Sequence, residues 1–198
     1  MTKTLSQIIE DNRLGIFKDP ISGIISGTDK GYPKSYVNEF YEKNFFPLKN
    51  KSITLVEIGV RDGASICLWK NYFSDNAKIY GIDSLIHLTQ TNDYPLNQEW
   101  LTGDNVNFID ADAYLQETVD NIDGKIDILI DDGPHSFESH VKLLELYIPK
   151  MNKSGMIIIE DISYDPNQLY SYIPKNLQEF TYVCDYGGYD NRLIIIET

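Results

Sequence analysis

Two short apolar runs, residues 126–130 and 156–159, stand out from an otherwise mixed chain. Both are rich in β-branched residues and too short for a buried helix, so they predict buried strands. Each is followed by a pair of acids, Asp131-Asp132 and Glu160-Asp161. Asp131-Asp132-Gly133-Pro134 is a turn signal, and Ser136 is placed to cap a helix. Phe137, Val141, Leu144 and Ile148 then recur at helical spacing and predict one apolar face. Residues 152–155 predict a turn before the second run. Strand, helix and strand in this order predict a parallel pair with a right-handed crossover.

The same pattern extends in both directions. Residues 53–59 predict a strand, then a glycine-containing turn and a helix with Ile66, Trp69 and Phe73 inward. Residues 78–82 form a further strand, ended by Asp83. Residues 106–109 form another, with Asp112 placed to cap a helix over 113–119. A short helix is expected from Asp165-Pro166 to Pro174. Residues 180–185 and 193–197 predict a hairpin around Tyr186-Gly187-Gly188-Tyr189. Ahead of all this, residues 4–13 predict a helix with Leu5, Ile8 and Ile9 inward, and residues 20–31 a loop. Residues 35–46 predict a second helix, with Tyr36, Phe40 and Tyr41 inward, ended by Pro47. The fold class is therefore α/β: five β-α units, then an antiparallel hairpin. Residues 1–50 read as a helical and loop extension packed on a core of residues 51–198, a single domain overall.

Composition narrows the partners. The 198 residues carry a formal net charge of −13, which disfavours nucleic acid, since phosphate binding needs clustered Lys and Arg. An anionic membrane surface is disfavoured for the same reason. No apolar run approaches the ~20 residues of a membrane span, and residues 1–17 do not resemble a signal peptide. A cytoplasmic location is the simplest expectation. Cys67 and Cys184 lack metal-type spacing and are expected as reduced thiols.

If the two apolar strands are neighbours, their carboxyl ends lie roughly 5 Å apart. Asp131, Asp132, Glu160 and Asp161 then meet where open α/β sheets bind ligands, with His135 in the loop above. Carboxylates so close repel one another, and a hard cation such as Mg²⁺ relieves the repulsion. The plainer reading is that these acids cap helices and fill solvated turns. The turn Gly59-Val60-Arg61-Asp62-Gly63 is G-x-x-x-G, not the G-x-G-x-x-G of dinucleotide binders. It brings backbone to a helix start, as a nucleotide-like ligand requires, or it is simply a tight turn. Asp83 falls about where Rossmann-like folds place an acid on ribose, some ~20 residues after the glycines. The long connection over 84–103 carries His87, Tyr94 and Trp100, and a lid or substrate wall is plausible there.

With these motifs, the chain resembles a class I S-adenosylmethionine-dependent methyltransferase. More specifically it is similar to the macrocin O-methyltransferase group, which methylates sugar hydroxyls; cephalosporin-hydroxylase-type proteins are relatives. Three stretches carry the resemblance. One is Gly27-Thr28-Asp29-Lys30-Gly31 with Tyr36 and Tyr41-Glu42. A second is the E-x-G-x-x-x-G stretch from Glu57 to Gly63. The third is Asp131-Asp132-Gly133-Pro134-His135 with Glu160-Asp161. Pro134 stands where the group commonly has Ser, and the chain is short beside members with large N-terminal domains.

The resemblance implies a Rossmann-like class I methyltransferase fold, a mostly parallel seven-stranded sheet with a C-terminal antiparallel β-hairpin. It implies S-adenosylmethionine and Mg²⁺ as cofactors. Asp132, Glu160 and Asp161 would be metal ligands and His135 the general base. Glu57, Gly59, Gly63 and Ser65 would line the cofactor's amino acid portion, Asp83 the ribose and Asp112 the adenine. Asp131 would touch the methionine part or support the metal. Asp29 and Lys30 would lie near the mouth, with no role assigned. The expected activity is O-methylation of a hydroxyl on a small polyol, most simply a sugar. Histidine ordinarily titrates near ~6.5, which suits a base at neutral pH. Homo-oligomer formation is admitted. Three other readings stand beside this one: a metal-independent methyltransferase, a binding protein on the same fold without turnover, and a nicotinamide-dependent oxidoreductase.

Overall fold

A computed structural model describes residues 3–84 and 96–198. The short pair β1 (Phe17–Lys18) and β2 (Ile25–Ser26) forms a small antiparallel ladder near the N-terminus. The main sheet has seven strands in the order β5-β4-β3-β6-β7-β9-β8. These are β3 (Thr54–Ile58), β4 (Lys78–Asp83), β5 (Val106–Asp110), β6 (Ile126–Asp131), β7 (Met151–Ile159), β8 (Thr181–Asp185) and β9 (Arg192–Glu197). Strands β3 to β7 pair in parallel, and β9 pairs antiparallel with both β7 and β8. The expected parallel sheet with an antiparallel C-terminal hairpin is present. The order steps outward from β3 in one direction and from β6 in the other. The crevice between them is where such sheets bind ligands.

Sequence pattern explains the register. Ile128, Leu129 and Ile130 are wholly buried because β6 is central and covered on both faces. Helix α5 (Phe137–Tyr147), capped by Ser136, crosses from β6 to β7. Its buried face is His140, Leu143, Leu144 and Tyr147, whereas Phe137, Val141 and Ile148 pack at the margin. The helix is thus rotated from the face expected, and it carries an imidazole inward.

Several boundaries differ from expectation, each for a local reason. The helix predicted over 113–119 is α4 (Gln116–Asp120), and Asp112 does not cap it. Instead Asp112 Oδ1 accepts from the Tyr114 amide, closing a tight turn that delays the helix. Residues 152–155, expected as a turn, lie within β7, but the ladder shifts register there. Asp127 supports the irregularity, accepting from Asn152 Nδ2 at 2.6 Å and from the Thr54 amide at 2.8 Å. Pro174 does not end the C-terminal helical stretch. It separates α6 (Asn167–Tyr170) from α7 (Lys175–Gln178). The hairpin loop runs to residue 191, closed by the Tyr186 amide on the Asn191 carbonyl. Cys67 is buried and Cys184 half-buried, both as free thiols.

The N-terminal residues share the main core. Helix α1 (Leu5–Asp11) is closed by a capping box from Thr4 to Gln7. The stretch expected as one helix over 35–46 is a π-helical turn (Val37–Tyr41) running into α2 (Glu42–Phe45), with a 3₁₀ turn at Pro47. Leu5, Ile8, Tyr36, Phe40, Tyr41 and Phe45 pack in one cluster with Leu55 and with Trp69 of α3 (Ala64–Tyr72). No helix among the described residues is long and apolar enough to cross a membrane.

Gly59 is the tightest point of the architecture. Its φ is +83°, and a Cβ there would stand 2.0 Å from the Asp132 carbonyl oxygen, which is backbone and cannot swing aside. Gly59→Ala should therefore destabilise the chain by about 3 kcal/mol or more in urea-unfolding experiments, because strain and overlap add. Unchanged stability would show that the β3 and β6 ends do not approach as described.

Candidate active site

Beyond the carboxyl ends of β3, β4, β5 and β6 lies a cleft of about 800 Å³. Gly59, Asp83, Asp112, Asp132, His135 and Asp161 all line it, so six of the residues singled out from the sequence share one cavity. Asp29, Arg61, Ile82 and Tyr114 complete much of the wall. Glu57, Ser65, Asp131 and Glu160 are buried behind it. Gly63, at φ +99°, precedes α3 and packs against Leu101 and Trp100. His87 and Tyr94 lie outside the described residues.

Local chemistry shapes the glycine turn. Asp83, ending β4, accepts at Oδ2 from the Val60 and Arg61 amides, both at 2.8 Å. Asp62 is buried and accepts from the Ala64 amide at 3.2 Å and the Gly27 amide at 2.6 Å. One acid thus braces the turn from the sheet, and another ties it to the N-terminal segment.

The acid ends of β6 and β7 do meet, around a lysine. Lys30 is wholly buried. Its Nζ lies 2.7 Å from Asp132 Oδ2, 2.7 Å from Glu160 Oε1 and 3.1 Å from Glu57 Oε1. Burial alone would lower the lysine's pKa, but the three carboxylates outweigh it and hold the amine charged. Burial also pushes Glu57 and Glu160 upward, with Asp132 adding to the push and Lys30 opposing it. Three carboxyl groups thus share one ammonium. Glu57 is further tied by Trp69, whose Nε1–H donates to Oε2 at 3.0 Å, and Ser65 lies beside it. Tyr41 donates a very short hydrogen bond to Glu160 Oε1. Asp161 Oδ1 accepts from Tyr36 at 2.7 Å and pairs with Lys34 at 3.0 Å.

Asp132, His135 and Asp161 face the cleft with ligating atoms within 4.8 Å of one another. His135 Nε2 lies 3.8 Å from Asp132 Oδ1. Arg61, His135 and Asp161, all on the wall, hold φ between 54° and 57°. Left-handed backbone at three non-glycine residues costs on the order of 1 kcal/mol each and clusters at functional sites. Carboxylate oxygens beside an imidazole nitrogen fit a hard divalent cation. Beneath the cleft, Asp131 Oδ1 accepts from the Tyr114 hydroxyl at 2.8 Å and the Gly133 amide at 3.1 Å. Burial raises its pKa to about 6, although both hydrogen bonds oppose the rise.

The acids of the site stand out in the sequence, the Asp62 tie to Gly27 excepted, but the groups that hold them do not. Lys30 is 102 residues from Asp132 and 130 from Glu160. No periodicity reports such a contact. The one signal was the Asp29-Lys30 pair within a stretch already singled out. The inward turn of Tyr36 and Tyr41 was legible as burial, but not the carboxylates their hydroxyls reach.

A family model described as a methyltransferase domain matches residues 56–162. Among curated proteins, the chain is 33% identical over 153 residues to the 8-demethyl-8-alpha-L-rhamnosyl tetracenomycin-C 2'-O-methyltransferase of Streptomyces olivaceus, covering 71% of this chain and 37% of that protein. It is 28% identical over 132 residues to the mycinamicin VI 2''-O-methyltransferase of Micromonospora griseorubida, covering 62% and 30% respectively. Among solved structures, the MycE methyltransferase of the mycinamycin pathway, in complex with Mg, SAH and mycinamycin VI, superposes with a TM-score of 0.69 at 20% identity, covering 99% of this chain and 54% of that one. At that identity the likeness is one of fold. The chain spans about a third of the length of these curated relatives.

His140 gives the region a testable pH dependence. Its Nδ1 meets the Tyr164 hydroxyl at 2.7 Å, and its Nε2 is buried with no hydrogen-bond partner among the described residues. Burial lowers its pKa from 6.5 to about 4, with His135 adding to the shift. The unfolded chain therefore binds a proton that the folded chain refuses. This contribution is fully present above pH 6.5 and is lost as pH falls to about 4. The loss is about 3 kcal/mol. His140→Gln should flatten that part of the stability curve in denaturant titrations run from pH 7 to pH 4. An equally steep fall in the variant would exclude His140 as its source.

Proposed function

The chain belongs to the methyltransferase domain family, and from that membership and the cleft's geometry we propose that it is an S-adenosylmethionine- and Mg²⁺-dependent O-methyltransferase. Its acceptor is a hydroxyl of a small polyol, most simply a sugar. The observation that carries this reading is the shared cleft, with Asp132, His135 and Asp161 beside Gly59 and Asp83. The methylated sugars named for the curated relatives support the acceptor class.

Each residue's part follows from its place. Gly59 lets the turn pass tight against the Asp132 backbone at the cleft wall, where a Cβ would overlap it. Asp83 has spent Oδ2 on the turn amides, leaving Oδ1 for a ribose hydroxyl. Asp112 stands near the adenine end. Glu57, Gly63, Ser65 and Asp131 act from behind the wall, setting the turn and the floor. Asp132, Glu160 and Asp161 would hold the metal through oxygens not spent on Lys30, Tyr41, Tyr36 and Lys34. When bound, the sulfonium cofactor supplies an electrophilic methyl group and the divalent ion lowers the acceptor hydroxyl's pKa. His135 takes the hydroxyl proton at Nε2, and Asp132 Oδ1 at 3.8 Å stabilises the imidazolium. Asp29 offers the acceptor a further carboxylate from the same cleft.

We place the reaction in the cytoplasm with a small-molecule acceptor, and neither nucleic acid nor a membrane as partner. The net charge of −13 supports that choice. A second reading, metal-independent transfer, has one observation in its favour: Lys30 already brings a positive charge to Asp132 and Glu160. Release of S-adenosylhomocysteine with a panel of rhamnosides and other glycosides, with and without EDTA, separates the two. Chelation should abolish turnover; a rate indifferent to EDTA selects the second reading. His135→Ala should lower turnover by roughly 10²- to 10⁴-fold and leave cofactor affinity unchanged. A full-rate variant would remove His135 from the role of base.

A further inference from the structure

The three carboxylates proposed as metal ligands share one feature. Each has one oxygen held by a side chain from the N-terminal segment. Asp132 is held at Oδ2 by Lys30, Glu160 at Oε1 by Lys30 and Tyr41, and Asp161 at Oδ1 by Tyr36 and Lys34. The second oxygens of Glu160 and Asp161 accept no hydrogen bond from a described side chain. Asp132 Oδ1 meets only His135, at 3.8 Å. All four anchoring residues lie outside residues 56–162, the stretch that matches the family model.

Backbone shape makes this possible. Tyr36 and Tyr41 are five residues apart and flank a π-helical turn, whose wider coil brings residues at that spacing toward one side. Tyr36 and Tyr41 are both wholly buried, so neither hydroxyl can relocate without repacking the core. Lys30 is wholly enclosed; its ammonium donates to Asp132 and Glu160 and forms an ion pair with Glu57.

We propose that residues 30–41 form the outer layer of the metal site, with Lys30 the positioning residue that holds Asp132 and Glu160 so that their remaining oxygens converge on one divalent ion. The inference rests on the metal-dependent reading above. A ligand carboxylate with one oxygen fixed has lost the freedom to turn away, and the ion meets a preformed site. Lys30 also bridges the ends of β6 and β7, setting the spacing between the two acid pairs. Lys30 is not a ligand itself, since an ammonium has no lone pair to give.

The test is calorimetric titration of the cofactor-bound chain with MgCl₂ and MnCl₂, without acceptor. Lys30→Met keeps the length of the side chain and removes the charge; Tyr36→Phe and Tyr41→Phe each remove a single hydroxyl. Lys30→Met should weaken metal binding roughly 10- to 100-fold, and each tyrosine variant several-fold, with S-adenosylhomocysteine affinity unchanged. A merely structural role would lower the melting temperature and leave metal affinity where it was. If Lys30→Met does not fold, the two phenylalanine variants decide. Wild-type metal affinity in folded variants overturns the outer layer alone. Failure of the wild-type chain to bind either ion overturns the metal-dependent reading together with it.

Discussion

One buried ammonium sets the terms for the rest of the structure. Lys30 enters the end of the sheet from a loop far away in sequence and meets three carboxylates there. Burying that many charges is costly, and attraction offsets the cost only with close geometry and full hydrogen bonding. On the lysine's side the geometry is close, with hydrogen bonds to Asp132 and Glu160 and an ion pair to Glu57. The same contact fastens residues 30–41 to the sheet, so the core cluster and the cleft edge depend on one another. Trp69 links them directly, with its ring in the core and its N–H on Glu57.

Around that charge cluster the backbone is held in uncommon shapes. Gly59 sits where only hydrogen fits beneath the Asp132 carbonyl. Arg61, His135 and Asp161 adopt left-handed conformations, and all three line the cleft. Each begins a departure from a parallel strand end, where the chain must leave the sheet sharply to clear the crevice. Strain of this kind persists only when the surroundings over-determine it. Here the surroundings are the Asp83 bonds to the turn amides and the Tyr36 and Lys34 hold on Asp161.

Most of the sheet was legible in the sequence because its central strands carry apolar runs and are covered on both faces. The apolar runs at 126–130 and 156–159 can be little else, and the acids behind them mark the strand ends. Boundaries failed where side-chain hydrogen bonds, local or between strands, reshaped the backbone. Asp112 closing a turn on Tyr114 displaced the start of α4, and Asp127 holding Asn152 accommodated an irregularity within β7. The π-helical turn at 37–41 was hidden because burial of Tyr36, Phe40 and Tyr41 fits an ordinary helix nearly as well. The candidate site was legible as a set of acids and a histidine. It was not legible as a division of labour. Which oxygen faces the cleft and which faces Lys30 is decided by contacts more than a hundred residues apart in sequence, and no local pattern carries that information.

The central claim is that the Lys30 ammonium and a divalent ion occupy neighbouring places on the same carboxylates. Anomalous diffraction at the manganese edge, from crystals grown with MnCl₂ and S-adenosylhomocysteine, tests it most directly. The account predicts one peak against the cleft-side oxygens of Asp132 and Asp161, with Glu160 within reach and the Lys30 amine still hydrogen-bonded to Glu160. A peak centred where the amine stands, with Lys30 expelled, or no peak at these carboxylates, would contradict it.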